Sequence, residues 1–102
     1  MNKHSQDILS GYDFSRVTNM WEKLVREAIW EMLERREMCD CKDCVLDTAA
    51  LALNSLPVSY WVTGNYDAFS SPDQFYEDST KARLAQEAVM KAWQLVQQNP
   101  HH

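Results

Sequence analysis

Three cysteines fall within six residues, Cys39, Cys41 and Cys44, and the chain has no others. An odd set in so short a span leaves at least one thiol without a disulfide partner, and a bridge between Cys39 and Cys41 would close a strained ring over one intervening residue. Convergence on a metal is the better chemical reading, because soft thiolates suit zinc, with Zn–S bonds of about 2.3 Å. The other readings are a redox set and three plainly buried thiols. Zinc takes four ligands and the cluster supplies three, so His4, Glu37, Asp47 and a water are candidates for the fourth. Asp47 lies three residues after Cys44, where it can reach the metal or orient a ligand. It can equally compensate the positive start of a helix.

Size and charge narrow the classes. A chain of 102 residues is one domain, and so short a chain buries a modest share of its surface. A metal or a dimer interface would add to its stability. The net charge of −5 argues against a duplex nucleic-acid module, which needs a basic footprint to neutralise phosphates. No apolar run approaches the roughly 20 residues of a membrane span, and the start of the chain shows no secretory h-region. Free thiols in that setting point to the cytoplasm.

Residues 1–12 are polar and unpatterned and read as a flexible N-terminal arm, with one helical domain over 13–100. From Val17 the apolar positions Met20, Trp21, Leu24, Val25, Ala28, Ile29, Met32 and Leu33 follow helical spacing. The first helix is expected to reach about Glu37, capped by Asp13 or Ser15 and supported by Glu22–Arg26 and Glu31–Arg35 pairs. Trp30 lies off its apolar stripe and hints at a second contact surface. A second helix, capped by Asp43, is apolar nearly all round, which belongs in the middle of a structure. It must stop before Pro57.

The segment Val58–Thr63 reads as extended, closed by a turn at Gly64-Asn65. Ser71-Pro72-Asp73-Gln74 then opens either a short helix or a longer one, with a break expected near Asp78-Ser79-Thr80. Beyond it Ala82, Ala85, Ala88, Val89, Ala92, Trp93 and Val96 form one stripe ending at Asn99-Pro100. The sum is an all-α domain of three main helices, one short extended piece and a cysteine knuckle.

Residues 39–57, CDCKDCVLDTAALALNSLP, resemble the core motif of the late competence protein ComFB family. The matching features are the C-x-C-x2-C cluster, Asp47, the Ala50-Leu51-Ala52-Leu53-Asn54 run and Leu56-Pro57; Tyr60-Trp61-Val62-Thr63 also resembles the segment that follows. Thr48 and Val58 depart from a valine and a second proline common in the family. The resemblance implies a small helical homodimer with zinc on the cysteines. It also implies a receptor for a cyclic dinucleotide messenger, chiefly cyclic di-GMP, that regulates competence, motility or surface behaviour through a protein partner.

For such a ligand, Asn54, Tyr60 and Trp61 are candidate contacts, with Tyr60 or Trp61 as a stacking platform. Arg83 and Arg35 are candidate phosphate partners, since the guanidinium fork donates two parallel hydrogen bonds. Tyr60, Trp61, Tyr66 and Phe69 can alternatively form a small core under the loop. The chain reads as a binding protein and not an enzyme. The alternatives are an interaction adaptor with purely structural zinc and a zinc hydrolase, which would need a general base beside the metal.

Overall fold

The computed structural model describes residues 8–63 and 72–99. A 3-10 turn at Phe14–Arg16 leads into β1 (Val17–Asn19), then α1 (Trp21–Glu34), α2 (Lys42–Ser55), β2 (Tyr60–Val62), α3 (Pro72–Tyr76) and α4 (Ser79–Gln98). The three long helices agree with the sequence reading. The break near Asp78 is real: α3 is a separate short helix, and the Asp78 carboxylate caps α4 by accepting the Thr80 N–H at 2.9 Å. His4, Tyr66, Phe69, Ser71 and the Gly64-Asn65 turn lie outside the described residues.

The start of α1 differs from expectation. Val17 is not in the helix but in β1, which pairs antiparallel with β2 in the register Val17↔Val62, Thr18↔Trp61, Asn19↔Tyr60. The ribbon is extended by Met20 N–H donating to the Ser59 carbonyl at 2.8 Å and Thr63 N–H donating to the Arg16 carbonyl at 2.7 Å. Asp13 caps only the 3-10 turn. The buried Asn19 side chain accepts the Trp21 N–H at 3.2 Å instead, which satisfies one of the donors a helix start leaves unpaired.

Two further expectations fail for plain reasons. Neither Glu22–Arg26 nor Glu31–Arg35 closes as an ion pair; the pair formed among the described residues is Lys81–Asp78 at 3.6 Å. Exposed pairs of this kind gain little over solvation, and Glu31 instead accepts a long hydrogen bond from Gln86 at 3.5 Å. Nor is α2 buried all round. It buries only Cys44, Thr48 and Ala52, leaving Leu46 56% and Leu51 39% exposed.

α4 packs on both other long helices, most extensively on α2. Glu31 faces Gln86, and Arg35 and Met90 share one depression, so α1 and α4 run the same way. Asp47 sits beside Val96 and Asn99, and Asn54 beside Ala88 and Lys91, so α2 runs against α4. This arrangement sets the α1–α2 junction, with its cysteines, at one end of the helices and the ribbon at the other.

The core joins Trp21, Leu24, Val25, Ala28 and Ile29 of α1 to Ala52 of α2 and to Ala85, Val89 and Ala92 of α4. Trp93 packs against it half-buried, in line with the helical stripe. Phe75 of α3 closes the ribbon end, edge-on to Trp21 at 5.0 Å and to Trp61 at 6.4 Å.

Candidate metal centre

The α1–α2 junction is built by a tight reversal. α1 ends in a paired cap in which Arg36 N–H donates to the Leu33 carbonyl at 3.1 Å and Glu37 N–H to the Met32 carbonyl at 2.9 Å. Arg36 takes a left-handed φ of 56°, the position usually given to glycine in this motif. The chain then turns back through Met38, which is buried in the core, and delivers Cys39 and Cys41 to the start of α2.

Cys41 is itself the N-cap of α2. Its backbone is extended and its sulfur accepts the Cys44 N–H at 3.3 Å; the expected cap, Asp43, lies in the first turn instead. The reason is the C-x-x-C spacing, which puts the two sulfurs on the same side of the first turn. Cys44 is fully buried, Cys39 and Cys41 are half-buried. The three sulfurs lie within 4.8 Å of one another. In a tetrahedral zinc site the S···S separation is about 3.8 Å for Zn–S bonds of about 2.3 Å, so small side-chain rotations bring all three onto one ion.

The electrostatics of the metal-free cluster are asymmetric. The Cys44 backbone N–H, and then its S–H, hold the Cys41 thiol below its ordinary range. Donating that S–H, together with burial, pushes Cys44 up to about 12. A metal bound here would take the place of the shared proton, with all three sulfurs as thiolates. Thr48, fully buried one turn on, donates its hydroxyl to the Cys44 carbonyl at 2.7 Å. Its departure from the family valine therefore leaves no polar group unsatisfied. Val58, the other departure, is 76% exposed.

Among the described residues, the group placed to hold a metal ion is the three cysteines. Asp47 stands one turn beyond Cys44, on the rim of a depression shared with Leu51, Leu95, Val96 and Asn99. Glu37 is exposed and lines the α1–α4 depression with Arg35 and Gln86.

The five candidate ligand residues are spread over the molecule. Arg35 lines the α1 side of α4, and Arg83 is exposed one turn before Gln86 on that side. Asn54 lines a groove on the α2 side with Leu51, Ala88, Lys91 and Leu95. Tyr60 is 62% exposed on β2. Trp61 is engaged: it packs on the core and its indole N–H donates to Ser59 Oγ at 3.2 Å. Sequence reasoning missed Lys91 as the cation beside Asn54, because a lysine on a helix face carries no signal of its neighbour on another helix.

No described helix is long and apolar enough to cross a membrane. Comparison with curated proteins and with solved structures gives no match. The family model for late competence development protein ComFB matches residues 18–100, from β1 through α4 and across the whole cysteine junction. The match covers most of the chain, and this protein belongs to the ComFB family.

Proposed function

We propose that this chain is a zinc-containing, dimeric signalling protein of the cytoplasm that binds a cyclic dinucleotide, cyclic di-GMP foremost, and passes that state to a protein partner in competence, motility or surface behaviour. The observation that carries the reading is the convergence of three sulfurs within 4.8 Å at the junction of two core helices in a ComFB-family chain. Zinc there ties the segment between α1 and α2 to the first turn of α2, with Asp47 or a water completing the four ligands.

A cyclic dinucleotide offers two bases and two phosphates related by a two-fold axis, and a symmetric dimer meets it with matching groups from both chains. Arg35 and Arg83 are exposed on the same side of α4, and Tyr60 is exposed on the ribbon. These are the groups such a site would draw on. The acidic net charge is compatible with a ligand of two charges when the local field is positive.

Isothermal titration of the metal-loaded protein with cyclic di-GMP, cyclic di-AMP and GTP tests the ligand. Unchanged affinity in R83A, R35A and Y60A variants removes this site, and no binding by the parent removes the messenger. An interaction adaptor with structural zinc is then the better reading. It is favoured by the separation of Arg35 and Asn54 on opposite sides of α4.

A further inference from the structure

We propose that Cys41 and Cys44 form a reversible intramolecular disulfide when the cluster holds no metal, with Cys41 as the thiol that meets the oxidant and Cys44 as the thiol that resolves it. The inference concerns the same cluster as the metal reading but does not need that reading to be right. It rests on three features of the junction. Cys41 and Cys44 share the first turn of α2, and the Cys44 N–H holds the Cys41 sulfur over that turn at 3.3 Å. Their sulfurs are within 4.8 Å, a gap that rotation about the side-chain bonds closes toward a disulfide. Their exposure differs: Cys41 is half-buried and open to a small oxidant, whereas Cys44 is fully buried and meets only its neighbours. Cys39 is separated from Cys41 by one residue, which disfavours that bridge, and it stands in the loop before the helix.

With hydrogen peroxide as the oxidant the steps balance. The Cys41 sulfur attacks one peroxide oxygen, the O–O bond breaks and water leaves, giving a sulfenic acid on Cys41. The Cys44 sulfur then attacks the sulfenic sulfur, the S–S bond forms, and the hydroxyl leaves as a second water with the remaining thiol proton. Two thiols lose two electrons and two protons, and peroxide is reduced to two waters. The bridge uses two of the three candidate metal ligands, so oxidation and metal loading exclude each other.

The test treats full-length protein, metal-stripped and zinc-loaded, with hydrogen peroxide, alkylates the remaining thiols, and maps them by mass spectrometry. The stripped protein is expected to lose two hydrogens, carry a Cys41–Cys44 crosslink and one alkylated thiol at Cys39, and recover three alkylated thiols after dithiothreitol. A Cys39→Ser variant is expected to form the same crosslink, and a Cys44→Ser variant to accumulate a dimedone-reactive sulfenic acid on Cys41. A crosslink that includes Cys39, a bridge between chains, or overoxidation without any crosslink overturns the proposal. In the loaded protein, zinc appearing on a chromogenic chelator in step with the crosslink supports it. Failure to load zinc removes the metal reading and leaves the crosslink result standing; zinc that loads on a chain whose stripped form never crosslinks removes only the disulfide.

Discussion

Arg36 is the residue whose backbone conformation does most for the candidate site. Its φ of 56° completes the reversal that brings Cys39 and Cys41 back onto α2, and a side chain there costs roughly 1–2 kcal/mol relative to glycine. Glycine loses part of that gain through its freer unfolded chain. Arg36→Gly is therefore expected to raise stability by up to about 1 kcal/mol, read from the urea midpoint with unchanged slope, while Arg36→Val lowers it by a similar amount. Thr48 makes the contrasting case. Its hydroxyl bonds a helix carbonyl that already has a main-chain donor, so Thr48→Val is expected to change stability by less than about 1 kcal/mol. Thr48 stood out in the sequence only as a departure from the family motif, and neither residue's structural role was legible there. An arginine gives no turn signal of the kind glycine or asparagine gives, and the cap role of Cys41 was hidden behind Asp43, a commoner N-cap two positions on. The convergence of the thiols was legible because three cysteines within six residues cannot lie far apart.

Elements whose pattern is local were readable, and those defined by a distant partner were not. The apolar stripe of α4 matches the buried Ala85, Ala88, Val89, Ala92 and Val96, and α2 stops before Pro57 as proline sterics require. β1 escaped notice because Val17 also fits the helical spacing of α1, while its pairing partner Val62 lies far along the chain. The half-buried packing of Trp61 depends on Phe75 in the short α3, again a non-local fact. Phe75 is 5% exposed and touches both Trp21 and Trp61; Phe75→Ala is expected to cost about 3–5 kcal/mol in urea unfolding followed by tryptophan fluorescence. A loss under about 1 kcal/mol would show that α3 is not part of the cooperative core. The cap of α4 gives a pH dependence. The Thr80 N–H, with desolvation opposing and Lys81 assisting, holds the Asp78 carboxyl below its ordinary value of 3.8. Folding thus favours the ionised form, so the cap's contribution is complete above that value and is lost as pH falls through the lower folded value. The stability of the parent is expected to fall more steeply than that of Asp78→Asn as pH drops below about 4, with parallel curves removing the assignment.

For the molecule as a whole, the proposed metal and the proposed dimer would be two answers to one shortage of buried surface. Metal loading has a definite pH sign: Cys44 is pushed up to about 12 in the metal-free cluster, so binding must displace its proton, and affinity measured against a competing chelator is expected to weaken as pH is lowered. A Cys41→Ser variant is expected to lose zinc and to loosen the α1–α2 junction; equal zinc in variant and parent would sink the metal centre. The proposed dimer rests on what one chain leaves uncovered. Trp30 is 62% exposed, as its place off the α1 stripe foretold, and Leu46, Leu51 and Leu95 are exposed on α2 and α4. Leu51 and Leu95 face each other with Ala50 along the α2–α4 groove, a surface that a second copy can cover with the same residues by a two-fold operation. Its apolar character explains why α2 reads from sequence as a buried helix although a single chain buries only one side of it. Light scattering is expected to return twice 11.9 kDa for the parent at micromolar concentration, and Leu95→Glu, which sets a charge in each half of the interface, is expected to shift it toward the single-chain mass with the helical signal retained. A parent that scatters as one chain removes the dimer, and with it the paired arrangement of arginines that a two-fold ligand requires.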